Sequence, residues 1–506
     1  MTRRANASQR LPLRNESFDR MRPAGATFHD RLLVHARDRA DVPAFVGRDG
    51  VLRYGELPGV VRSLAAVLRT AGLGPGSTVA LTARSERDHV LAALALLDLG
   101  VAQATLASRD PPALRERLAR RTGATVVLGD LPSDAIPGLP WIGLAKVLAQ
   151  SRSARSGTAP EARPNPGASR LYFTGSGTTG EPKVVAYAES DLARHAASYP
   201  PLAAHRVLRP AHVEYNNSKR TRLYVLWQGG TNVFGDGVAG SLRDQCARHD
   251  VTWLEVSPLH AADLVASCRS EGPLSDRVSV KVGGARVPIA LRRELARIAT
   301  QRLLVSYGTT ETAYVAHAEP SMHDERESVG LPGAHAEVEV VRADGAAASP
   351  GEIGEIRLRT PGMATAYVGD AAASVRHFRD GWFMPGDLAS LTTEGWLCLH
   401  GRIDDMMIMD GINIFPAEIE RVLEAHPSVA VAVAYPVASP SHGQIPVAAV
   451  EPRDGQDVDA EAVLAFARAR LGLRAPRRID VVAALPRNPQ GKVVRSAAAR
   501  GFGDPA

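Results

Sequence analysis

The residues best suited to chemistry lie far apart in the chain. Between Leu171-Tyr172-Phe173 and Val184-Val185-Ala186-Tyr187 runs Thr174-Gly175-Ser176-Gly177-Thr178-Thr179-Gly180-Glu181-Pro182-Lys183. Its glycines permit tight turns with exposed amides, Ser176, Thr178 and Thr179 can donate to oxyanions, and Lys183 adds one charge, so the segment suits a polyphosphate. The same pattern also describes a flexible Ser/Gly/Thr turn. It is not a Walker A loop, because Glu181 and Pro182 separate the last glycine from the lysine; the strand-like residues that follow do not suit the helix of a dinucleotide fingerprint. The second place is Pro489-Gln490-Gly491-Lys492 near the C-terminal end. Arginine outnumbers lysine 55 to 5 in this chain, so Lys183 and Lys492 stand where a compact ammonium is kept over a planar guanidinium.

Positioning such groups requires a rigid frame. Ala44–Gly47 and Val51–Tyr54, around the turn Asp49-Gly50, predict a hairpin; Val60–Ala71 and Asp88–Leu99 predict helices; Thr78–Thr82 and Thr125–Leu128 predict strands. Alternating strands and helices imply a parallel sheet covered on both faces. Residues Ser151–Ser169 read as a Ser, Arg, Pro and Gly linker, after which Thr252–Val256, Ser279–Val282 and Leu303–Val305 resume the buried-strand pattern. Glu337–Val341 and Gly354–Arg359, with the turn Asp344-Gly345 between them, have the period of two of an antiparallel pair. Beyond Gly401, helices at Pro416–Ala425 and Ala460–Leu471 and strands at Ala430–Ala434 and Val447–Val450 suffice for a small α+β domain.

The 506 residues exceed one ordinary core, and 45% hydrophobic content excludes wholesale disorder. A net charge of +6 without any block of like charges does not suggest nucleic acid binding. No apolar run is long enough to span a membrane, and the basic start Met1–Arg22 has no apolar stretch behind it, which predicts a soluble, cytoplasmic protein. Cys246, Cys268 and Cys398 are widely spaced and odd in number, against both a disulfide framework and a zinc cluster.

The ordered motifs resemble those of the adenylate-forming superfamily, which includes acyl-CoA synthetases, peptide-synthetase adenylation domains and luciferase-type enzymes. The residues 174–183 resemble its signature loop. Leu52-Arg53-Tyr54-Gly55-Glu56-Leu57, Gly283-Gly284-Ala285, Tyr307-Gly308-Thr309-Thr310-Glu311, Pro385-Gly386-Asp387, Gly401-Arg402-Ile403-Asp404-Asp405, Asn413–Glu420 and Pro489–Lys492 follow in the family's order. The resemblance implies an α/β fold with stacked sheets and a β-barrel-like subdomain in a large N-terminal domain, 1–403, and a mobile α+β lid, 404–506, hinged at Asp404. It further implies that Thr174, Ser176, Gly177, Thr178, Thr179, Gly180 and Lys183 hold the β- and γ-phosphates of ATP. Gly283, Gly284, Ala285, Tyr307 and Gly308 would border the adenosine, Asp387 the ribose, and Arg402 the ribose or phosphate. Thr310 would donate to the α-phosphate, Glu311 would hold Mg²⁺, and Lys492 would bridge the acid and the α-phosphate. Two anions must meet in adenylation, so neutralising charge is the main task.

The implied reaction is ATP-dependent ligation of a small acid, with CoA as the expected acceptor. An amine acceptor, activation of an oxyacid such as nitrite for N–N bond formation, and a non-catalytic nucleotide-binding scaffold are the alternatives. Three positions depart from the family pattern: Ser306 for asparagine, Pro385 for threonine, and Ile408 where many relatives carry lysine, which touches the thioester step. Tyr215-Asn216-Asn217-Ser218-Lys219-Arg220-Thr221-Arg222 lies where acid–CoA ligases have an apolar pocket wall. It reads either as a solvated helix start or, with His212, Tyr215, Lys219 and Arg222, as a pocket that meets an extra anion. The end at Ala506 leads us to expect a free-standing enzyme without a carrier domain.

Overall fold

Short apolar strands without face alternation require cover on both sides. The computed structural model, which describes residues 27–153, 169–175, 182–235, 238–410, 412–439, 441–453, 455–488 and 491–502, has that construction. A nine-stranded sheet runs Leu331–Pro332, Ala313–Ala318, Leu303–Thr309, Ser279–Gly283, Trp253–Val256, Arg206–Leu208, Thr231–Val233, Pro43–Gly47 and Gly50–Arg53. Its middle is parallel and its edges antiparallel. A six-stranded sheet runs Trp141–Gly143, Val126–Gly129, Thr78–Thr82, Ala102–Thr105, Arg170–Gly175 and Lys183–Ala188.

The Asn216–Gln228 helix touches Thr231–Val233 of the first sheet and Arg170–Gly175 of the second, so it is sandwiched between them. It is buried on all sides from Ser218 onward, as is most of the neighbouring Glu86–Asp98 helix. A helix apolar all round suits such a layer, but this one carries Lys219, Arg220 and Arg222 into it. The solvated reading of that segment is therefore corrected: the charges are held inside by specific partners.

Glu337–Val341 pairs with Gly354–Arg359 in the expected antiparallel register, within a third sheet that includes Asp387–Leu391 and Leu397–Arg402. The remaining sheet contains Val429–Ser439 against Gly443–Pro452, packed with the Pro416–Glu424 and Ala460–Leu471 helices. Its apolar clusters begin at Met407, whereas the buried residues of those in the larger domain end at Leu397. The expected linker starts later than Ser151, because the Leu144–Ser153 helix buries Leu144, Val147, Leu148 and Ser151; residues 154–168 are outside the described part. All three cysteines are buried and unpaired.

Candidate active site

Residues Ser176, Gly177, Thr178, Thr179 and Gly180 lie outside the described residues, but both flanks are clear. Strands Arg170–Gly175 and Lys183–Ala188 pair with Gly175 opposite Lys183. Gly175 approaches the second motif: a Cβ there would stand 3.6 Å from Thr310 Oγ1 and 3.7 Å from Glu311 Oε1. Lys183 Nζ is 2.8 Å from His377 Nε2 and 4.9 Å from the centroid of the Tyr367 ring. Tyr367 in turn donates its hydroxyl to Glu311 Oε1 at 2.8 Å. His377 Nδ1 is 2.7 Å from the Met384 carbonyl, which assigns the ring proton to Nδ1 and leaves Nε2 to accept from the ammonium. Burial lowers the pKa of Lys183, opposed by Glu311; burial also lowers that of His377, and Lys183 adds to the effect.

Strand Leu303–Thr309 returns as Ala313–Ala318, and the tight reversal holds Thr310 and Glu311. Thr309 Oγ1 accepts from the backbone N–H groups of Glu311 and Thr312, both at 3.1 Å, and Ala313 adopts φ 60°, a strained value for alanine. Arg220 donates to the Thr310 carbonyl at 2.9 Å, and the Tyr187 hydroxyl lies 2.7 and 2.8 Å from the Thr310 and Glu311 carbonyls. A side chain at Gly283 would crowd Ser306: a Cβ would sit 2.5 Å from its Oγ and 3.0 Å from its carbonyl oxygen.

Tyr307 donates to Asp387 Oδ2 at 2.7 Å, and Arg402 donates to Oδ1 at 3.2 Å from the directly opposed strand position. Lys492 lies within electrostatic reach of Asp387, Arg402, Asp405 and Arg495. Its side chain keeps contact with solvent, yet the surrounding protein desolvates the ammonium enough to lower its pKa, opposed by Asp387. Gly491, at φ 78°, seats this loop on the Pro258–Glu271 helix; a Cβ would fall 2.5 Å from Leu259 Cδ2. A second tie between the domains is Arg286, which donates to Glu327 at 2.7 and 2.9 Å and to Glu424 at 2.7 Å. Burial pushes the Glu424 carboxyl up to about 7, against the pull of Arg286.

Among the pocket candidates, His212, Lys219 and Arg222 bond to partners other than these. His212 Nε2 is 2.8 Å from the Arg84 carbonyl, and Tyr215 precedes the buried helix. Arg222 pairs with Glu86 at 2.7 Å. Lys219, 1% exposed, donates to Gln103 Oε1 at 2.8 Å and Thr105 Oγ1 at 3.1 Å, and burial lowers its pKa to about 7. Sequence reasoning missed His377 and Tyr367, which carry no motif signal, and Arg209, Glu255 and Lys281. Lys281 alone had a signal, as one of five lysines.

A family profile described as AMP-binding enzyme matches residues 32–368, and one described as AMP-binding enzyme C-terminal domain matches 418–492. The chain belongs to this AMP-binding family of adenylate-forming enzymes. Among curated relatives, the indoleacetate–CoA ligase of Aromatoleum aromaticum is 29% identical, covering 87% of this chain and 91% of the relative. The sulfoacetate–CoA ligase of Cupriavidus necator is 31% identical over 76% of this chain and 75% of its own. The fold matches o-succinylbenzoate CoA synthetase from Bacillus subtilis in complex with its acyl-adenylate intermediate, with TM-score 0.80, 23% identity and coverage of 94% and 98%. It also matches the amide bond synthetase of Marinactinospora thermotolerans, with TM-score 0.79, 24% identity and coverage of 94% and 99%. The protein is thus an adenylate-forming ligase whose curated relatives are named chiefly as CoA ligases. No helix among the described residues is long and apolar enough to cross a membrane.

Proposed function

We propose that the protein joins a small carboxylic acid to ATP, releasing pyrophosphate, and passes the acyl group from the adenylate to the thiol of CoA. The observation that carries this reading is that Lys492 lies within electrostatic reach of the paired Asp387 and Arg402, while Gly175 approaches Thr310 and Glu311 on the other flank. Two lysines far apart in sequence thereby serve one substrate. Lys183 neutralises the outer phosphates, with Ser176, Thr178 and Thr179 as hydroxyl donors. Asp387, with two acceptor oxygens, takes the ribose hydroxyls, and Tyr307 lies beside adenine. Thr310 donates to the α-phosphate, and Lys492 draws the acid carboxylate and the α-phosphate oxygen together. Positioning and charge carry the rate.

Glu311 suits Mg²⁺: one carboxylate, oriented by Tyr367, offers a hard oxygen that phosphate oxygens can complement. The ion would screen the phosphates. For the second half-reaction the lid turns about Asp404, taking 1–403 and 404–506 as the two bodies, which withdraws Lys492 and opens the adenylate to the acceptor. Ile408 in place of lysine supports a second reading, with an amine as acceptor and an amide as product. Acid-dependent exchange of labelled pyrophosphate into ATP tests the first step, and product analysis with CoA against a panel of amines tests the second. ATP binding without exchange for any acid would overturn the ligase assignment.

A further inference from the structure

One face of the nine-stranded sheet, below the glycine turn, carries charge that the adenylation reading leaves unused. Glu255 stands opposite Lys281 on the neighbouring strand; two residues further along comes Gly283, opposed by Ser306, which is opposed by His317. Strand rise puts Lys281 about 7 Å from Gly283 along the same face. Glu255 accepts from the Tyr199 hydroxyl at 2.8 Å, the Trp253 indole at 3.0 Å and Arg209 at 2.5 Å, and Lys281 Nζ is 3.6 Å away. The Tyr199 hydroxyl also receives Lys281 Nζ, whose ammonium stands 4.7 Å from the ring centroid.

Two cations share one carboxylate, so the cluster carries a formal charge of +1. The carboxylate is spent, and the cations are not. Arg209 Nε is buried with no hydrogen-bond partner among the described residues. The side chains of Arg209 and Lys281 keep 12% and 11% of their surface accessible, against 1% for Glu255. Burial lowers the pKa of Lys281, opposed by Glu255 and reinforced by Arg209. His317, on the same face, is held neutral by burial and by Lys281, with its pKa lowered to about 4, and offers no counter-charge.

We propose that Arg209 and Lys281 seat a second anionic group of the acid, so that the substrate is a compact acid with two oxyanion groups, one reacting and one held. This rests on the ligase reading and names its substrate class. An acid with an apolar tail would leave two desolvated cations sharing the single charge of Glu255, whereas a second carboxylate or sulfonate balances them. The spacing of about 7 Å from the glycine turn limits the linker to a few carbons.

The test compares pyrophosphate exchange for malonate, succinate, glutarate and sulfoacetate with that for the monomethyl esters of the dicarboxylates, in the wild type, Lys281→Met and Glu255→Gln. We expect wild type to favour the dianions, and Lys281→Met to raise their KM by about 10- to 100-fold, the range of a charge-assisted hydrogen bond, with KM for ATP unchanged. Glu255→Gln, which keeps both cations, retains the preference for dianions. If Lys281→Met fails to fold, Arg209→Gln reads the same loss. Monoesters exchanging as well as diacids, or an equal loss for both in Lys281→Met, would overturn the seat. Calorimetric titration of the diacids, with a non-hydrolysable ATP analogue present, separates the two layers. Lysine-dependent binding without exchange refutes the ligase step and retains the seat; neither binding nor exchange refutes the seat as well.

Discussion

Replacing His377 by glutamine tests whether the phosphate-loop lysine is held by a neutral imidazole. In the wild type, Nε2 accepts from Lys183 at 2.8 Å, and Nδ1 is committed to the Met384 carbonyl. Protonation would set an imidazolium against an ammonium. Coulomb's law at that separation gives about 6 kcal/mol at an effective dielectric of 20 and about 1.5 kcal/mol at 80. Lys183 is half-buried and His377 only 8% exposed, so the cost lies between the two figures and is worth at least about tenfold in an equilibrium constant. Because burial, assisted by Lys183, depresses the folded pKa of His377, the support for Lys183 is complete above the ordinary histidine value and is lost as pH falls through the folded one. The wild-type KM for ATP should therefore rise by at least about tenfold across that acid window. His377→Gln should stay flat, since its amide oxygen accepts at every pH. Exchange kinetics at saturating acid, from about pH 5 to 8, give the comparison, and titrations of ATP and substrate cancel between the two proteins. Superimposable profiles would refute the role assigned to His377.

Lys492→Ala should lower the exchange rate by about 100- to 1000-fold, the range for one preorganised donor, while leaving ATP affinity by direct titration almost intact; comparable turnover would remove it from the first half-reaction. Arg286→Ala cuts the tie to Glu424 and should raise protease sensitivity near residue 404 in the ATP-bound protein, with unchanged cleavage counting against a latch. Lys219 is depressed from its ordinary 10.5 to about 7, so the unfolded chain holds the extra proton between those values. Stability of the wild type relative to Lys219→Met should then climb by roughly 1.4 kcal/mol per pH unit through that window, read by denaturant unfolding; a constant difference would mean the ammonium stays charged inside.

The parts of the fold set by local pattern were readable from residues alone. Residues 337–340 and Gly354–Arg359 alternate polar with apolar, and the two strands pair antiparallel as expected. Strands such as Arg206–Leu208 and Thr231–Val233 are three residues long, too short for periodicity, and owe their existence to neighbours in the sheet. Motif residues Tyr307, Asp387 and Arg402 were legible because their types match nucleotide chemistry, and they do meet. Arg222 was misleading: its exposed-looking, polar surroundings gave no sign of Glu86, 136 residues earlier. His377 and Tyr367 act on Lys183 from a different sheet region, a relation only tertiary structure creates.

The lid is fastened by contacts of two unlike kinds. Arg286 to Glu424 is an ion pair that added electrolyte weakens, whereas Gly491 on Leu259 is bare backbone against a hydrocarbon surface and is indifferent to it. Of these two fastenings ionic strength acts on the first alone, so the time a reactive mixed anhydride spends shielded from water becomes adjustable by salt.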